Sequence, residues 1–142
     1  MKYILSAIVG FCVVAASAIW FSTASASDTY LKNFKHSFTE SAYEQAKEDN
    51  KLVLIDVYAT WCPTCRRQQD VLNDYFAENP DSEVVVFEVD YDDQKEWVSY
   101  FQAPRQSTLA LYRGDERLWF SVAQTNKSAI FEALNEHDAG GQ

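Results

Sequence analysis

Cys62 and Cys65 stand two residues apart in the stretch YATWCPTCRRQ, residues 58–68. Three chemistries use such a pair: a structural disulfide, part of a metal site, or a couple that opens and closes. The structural reading is weak. A bridge stabilises mainly by closing a loop in the unfolded chain, and this loop encloses only Pro63 and Thr64. A zinc site needs further ligands, and the only histidines are His36 and His137, near opposite ends of the domain. A redox couple needs one sulfur that ionises readily. Cys62 precedes a predicted helix, and Pro63 suits the first helical position. Unpaired N–H groups and the positive end of the helix dipole favour a thiolate there. Arg66, one turn on, is expected to add positive charge. Cys65 falls deeper in the first turn. Cys62 is thus the candidate nucleophile and Cys65 the candidate resolving thiol.

Asp56 interrupts the otherwise apolar run LVLIDVYA, six residues before Cys62. A carboxylate buried there resists ionisation, so its pKa should rise. It is the candidate acid or base for Cys65 during exchange.

The elements that position these groups alternate in type. SFTESAYEQAKEDN predicts a helix, with Ser37 and Glu40 as a capping box. KLVLIDVYA and EVVVFEVD read as buried strands. A helix is predicted over 63–77, stopped by Asn79-Pro80, and DQKEWVSYFQ is a shorter one. STLALYRGDERLWFSVA reads as a hairpin turning at Arg113-Gly114-Asp115. TNKSAIFEALNEH closes the domain as a helix, with Thr125 as its expected cap. This order predicts an α/β fold: a mixed central sheet, parallel pairs plus an antiparallel hairpin, with helices on both faces. Chemistry in such sheets collects beyond the strands' carboxyl ends, where the cysteines lie.

The 142 residues fit one domain plus a leader. The expected organisation is a signal peptide or N-terminal membrane anchor over 1–26, a linker over 27–36, the domain over 37–137 and a flexible tail over 138–142. The leader reading rests on Lys2, the apolar run Tyr3–Phe21 and the small residues Ala24-Ser25-Ala26. It implies export, with the periplasm as the expected location. Cys12 lies inside the apolar run and reads as filler. A net charge of -9 argues against nucleic acid as a partner. The acidic run at 90–93 lacks the spacing and glycine of a calcium loop.

The segment LVLIDVYATWCPTC resembles the active-site segment of the thioredoxin superfamily. Asp56, Tyr58, Trp61 and the Cys-x-x-Cys at a helix start match it in order and spacing. The likeness extends over residues 37–137 through the order of elements. It implies a thioredoxin-like three-layer sandwich and thiol–disulfide exchange on protein disulfides or dithiols, with no cofactor. With the leader, the chain is similar to periplasmic interchange proteins, including reductase domains fed by a membrane-bound electron donor. The likeness further implies that Trp61, Pro63, Gln106 and Ser107 meet the substrate. One departure stands out. Ser107 in RQSTLALY takes the place of the family's cis-proline, and its hydroxyl is free to hydrogen-bond a thiolate. The bond before it is expected to be trans. A proline there is thought to keep metals off the cysteines, so a thioredoxin-fold metal carrier using Cys62 and Cys65 is the alternative. The family's lysine partner for the buried aspartate is also missing, with Val86 expected at that strand position. Pro63-Thr64 holds no histidine, which favours a reductase over an oxidase.

Overall fold

A computed structural model of the protein describes residues 29–141. The leader expected at 1–26 lies outside them. Five strands form one sheet: β1 (Lys35–Ser37), β2 (Leu52–Tyr58), β3 (Val84–Asp90), β4 (Thr108–Arg113) and β5 (Glu116–Val122). They are arranged β1-β3-β2-β4-β5. β1, β3 and β2 run parallel, and the β4–β5 hairpin joins β2 antiparallel. The helices are α1 (Glu40–Glu48), α2 (Pro63–Glu78), α3 (Lys95–Tyr100) and α4 (Lys127–Asn135). The mixed α/β sandwich expected from the sequence is the fold observed.

Alternation along β2 explains the two cores. Leu52 and Leu54 pack with Leu72, Tyr75 and Phe76 of α2 and with Ile130 and Leu134 of α4. Val53, Ile55 and Val57 pack on the other face with Tyr43 of α1 and Val98 of α3. A strand buried on both faces must be apolar throughout, and β2 is, apart from Asp56. By the same alternation Asp56 belongs to the α2 face. Its burial is complete, which excludes a solvent-facing role at a strand edge.

Several local expectations need correction. Residues 31–36 are not linker. Leu31 is buried in the α2-side core, and Lys35–Ser37 pairs with Val86–Glu88 of β3. That pairing places Ser37 in the sheet, so it does not cap α1. Thr39 does, accepting from the Ala42 N–H at 3.3 Å. Asn126 rather than Thr125 caps α4, its Oδ1 accepting from Ala129 N–H at 3.0 Å.

The expected tail also begins too early. Asp138 is fully buried and accepts from the Tyr75 hydroxyl at 2.8 Å, the Ser82 hydroxyl, and the Glu83 N–H at 3.0 Å. It pins the chain after α4 onto the α2–β3 connection. Nothing in its local sequence signals this, since all three partners lie more than fifty residues upstream. Asp138→Ala strands a buried hydroxyl and a backbone N–H, and is expected to lower stability by about 3 kcal/mol in urea denaturation. Thiol reactivity of the folded fraction should be unaltered.

Candidate active site

The site sits where β2 ends and α2 begins. Cys62 is the N-cap of α2 and Pro63 its first residue. The Cys62 sulfur accepts from the Cys65 N–H at 3.1 Å, doing what a serine or aspartate side chain does at an ordinary cap. Both cysteines are free thiols. Cys62 shows 2% of its surface and Cys65 none. Ala59, with Tyr58 and Tyr91 at its edge, encloses them.

The two sulfurs differ in chemistry. Burial works against the Cys62 thiolate, but hydrogen bonds from the Cys65 thiol, the Ser107 hydroxyl and the N–H groups of Cys65 and Thr64 outweigh it. The Cys62 thiol is therefore held below its ordinary value. Burial pushes Cys65 up to about 11, helped by its hydrogen bond to Cys62. Arg66 has a smaller part than expected. It is exposed, and its guanidinium donates to the Thr60 carbonyl at 3.1 Å.

Ser107 stands opposite the pair, its Oγ 3.1 Å from each sulfur. It is fully buried, with φ at +63°, a conformation uncommon for serine. Three contacts hold the backbone there. The Ser107 N–H donates to the Val57 carbonyl at 2.8 Å, and the Ser107 carbonyl accepts from Ala123 N–H at 2.8 Å and from Gln68 Nε2 at 3.2 Å. The peptide bond before Ser107 is trans. Trp61 is 56% exposed, its indole N–H donating to Asp92 at 2.7 Å. Pro63 is exposed and Gln106 half-buried. The structure thus gathers Cys62, Cys65 and Ser107 in hydrogen-bond contact, with Trp61 and Pro63 adjoining them in the chain.

Asp56 sits on β2, on the face that packs against α2. Its Oδ2 accepts from Gln69 Nε2 at 3.1 Å, while Oδ1 is buried without a partner. Burial pushes Asp56 up to about 7; Gln69 opposes the shift and Glu88 adds to it. The residue beside Asp56 on β3 is Glu88, not Val86, which pairs with Leu54. Gln69 also donates to Glu88 at 2.8 Å, and Lys35 of β1 reaches both Glu88 (2.8 Å) and Gln69 (3.0 Å). A lysine is therefore present, held one residue further from the aspartate. Gln68, Gln69 and Lys35 escape a reading by residue type, because polar side chains on a helix or an edge strand ordinarily face water, and Glu88 escapes it because its place beside Asp56 depends on the β2–β3 register. Helical spacing from Cys65 is the signal that finds two of them: positions 65, 68, 69, 72, 73 and 76 are all buried.

Among the described residues, no group of three or more histidine, cysteine, aspartate or glutamate side chains is placed to hold a metal ion. Nothing in the site favours the metal-binding alternative.

A family model described as Thioredoxin matches residues 34–136. The chain belongs to the thioredoxin family. A thioredoxin of Alicyclobacillus acidocaldarius is 35% identical over 78 residues, 55% of this chain and 73% of that one. A thioredoxin H-type of Brassica campestris is 36% identical over 92 residues, 65% of this chain and 72% of the relative. Among solved structures, Trxlp from Edwardsiella tarda superposes with a TM-score of 0.66 at 37% identity, covering 70% of this chain and 97% of its own. As a thioredoxin-family protein, the chain is a thiol–disulfide oxidoreductase.

Proposed function

We propose that this thioredoxin-family protein works outside the cytoplasm, in the periplasm, reducing or exchanging protein disulfides with Cys62 as attacking sulfur and Cys65 as resolving sulfur. The observation that carries the reading is the asymmetry of the two thiols at the head of α2. The Cys62 thiolate attacks one substrate sulfur, and the other leaves as a thiolate and takes a proton. Cys65 then gives up its proton, with Asp56 as acceptor, and attacks the Cys62 sulfur. The Cys62–Cys65 disulfide forms and the second substrate sulfur leaves. Two electrons pass to the substrate, and a donor dithiol must return them. Trp61 and Pro63 border the path of approach, with Gln106 and Ser107 across it.

A thiol held at about 11 is a poor leaving group and, once ionised, a strong nucleophile, which favours the closed disulfide. This supports the reducing direction. The apolar run Tyr3–Phe21 supports export, either cleaved after Ala26 or kept as an anchor beside a membrane-bound donor. No helix among the described residues is long and apolar enough to cross a membrane.

Equilibrating the protein in graded thiol buffers gives the potential of the pair. A value at or below about -250 mV is expected, whereas one near about -120 mV would make it a disulfide-forming oxidant. Export is tested separately by fusing residues 1–28 to a reporter active only outside the cytoplasm; a silent reporter would refute it.

A further inference from the structure

We infer that the Ser107 hydroxyl acts on both sulfurs in turn, donating to Cys62 in the reduced enzyme and to Cys65 in the mixed disulfide. The inference rests on the exchange reaction proposed above. Its basis is geometric. The Ser107 Oγ lies 3.1 Å from each sulfur, and all three atoms belong to residues almost wholly withdrawn from water. A hydroxyl has one proton to give and lone pairs to receive. In the reduced state Ser107 donates to the Cys62 thiolate, alongside the hydrogen bond that the protonated Cys65 gives it. Once Cys62 is bonded to a substrate sulfur, its negative charge is gone and it becomes a weak acceptor. Cys65 must then ionise in a buried place with no solvent to support it. Rotation about the Cβ–Oγ bond turns the same proton toward Cys65.

The rest of the residue is built to hold this position. The Ser107 N–H and carbonyl are tied to Val57 of β2, to Ala123 just past β5 and to Gln68 of α2, so the oxygen stays while its proton moves. Other titratable groups face the pair less directly. Tyr58 and Tyr91 pack at its edge, Asp56 on β2 is hydrogen-bonded to Gln69 of α2, and Arg66 is turned to the Thr60 carbonyl. Among the described residues, Ser107 is the side chain outside the cysteines themselves that hydrogen-bonds either sulfur.

Two variants test this: Ser107→Ala, and Ser107→Gly, which suits the positive φ and protects against misfolding. Both remove the hydroxyl and differ in backbone strain, so a shared effect belongs to the hydroxyl. Thiolate absorbance is followed against pH, and the lifetime of the mixed disulfide with a small aromatic disulfide is followed in stopped flow. The Cys62 midpoint is expected to rise by about one pH unit, equivalent to roughly tenfold less thiolate near neutrality. The mixed disulfide should persist roughly tenfold longer. A folded variant with either an unshifted midpoint or an unchanged lifetime overturns the inference. The wild type keeps the two readings apart. If it reduces no disulfide, the proposed function fails; if it is active and the variants behave like it, only the role of Ser107 fails.

Discussion

Cys65→Ser is expected to halt the reaction half-way, leaving substrate proteins covalently attached to Cys62. Cys62 would still attack, because its place at the head of α2 and its contacts with the Cys65 N–H and Ser107 remain. A serine at position 65 cannot expel the substrate sulfur, so the mixed disulfide persists. Non-reducing gels of extracts from cells making the variant should then show the chain in adducts that a thiol reagent releases. Cys62→Ser should abolish both the adducts and turnover, lowering the rate by roughly a thousandfold or more, as loss of a covalent nucleophile does. The reverse pattern, with adducts formed through Cys65, would mean the roles are exchanged. The complete burial of Cys65 and its thiol at about 11 argue against that.

Asp56→Asn is expected to make the protein more stable and slower. The folded-state pKa of Asp56 is raised from 3.8 to about 7, so folding favours its protonated form. Below about 4 both folded and unfolded states hold the proton, and the group contributes nothing. As pH rises from about 4 to about 7, the unfolded chain ionises while the folded one resists, and stability falls. Above about 7 the full penalty, on the order of 4 kcal/mol, is in place. The asparagine variant should therefore gain most in urea denaturation at pH about 8 and nothing below about 4. A gain that does not vary with pH would show that ionisation is not its source. Resolution of the mixed disulfide should slow by about a hundredfold, the usual scale for losing a positioned base. Its rate should also lack the rise through neutrality expected of the wild type. A full-speed Asn variant would remove Asp56 from the proton path.

What the sequence displays and what it conceals follow from range. The β2–α2 unit is legible because its signals are local: seven successive strand residues of which six are buried, then a cysteine N-cap and a proline. β1 is hidden because Lys-His-Ser has no strand character of its own and is extended only by pairing with β3. Asp138 is hidden for the same reason, its partners being distant in sequence. At the site, the chemistry of the cysteines is written in their spacing, and the interruption of β2 marks Asp56. The neighbours that tune them are not so marked. Glu88 lies beside Asp56 only because of the β2–β3 register, and Gln69 joins them only once α2 lies across the sheet. Ser107 was visible as a departure, but its equal distance from both sulfurs belongs to the folded chain.

The backbone ties at Ser107 extend beyond the cysteines. Val57, Ser107 and Ala123 are joined in series by hydrogen bonds across three neighbouring segments, and Gln68 fastens α2 to both Ser107 and Gln124. The segment after β5, which carries no redox group, is thus two hydrogen bonds from the sulfurs by way of Ser107. Its amides are natural spectators of the couple: the Ala123 resonance lies along the chain of contacts that begins at Cys62 and Cys65. Closing the disulfide is expected to shift the Ala123 amide resonance through these contacts.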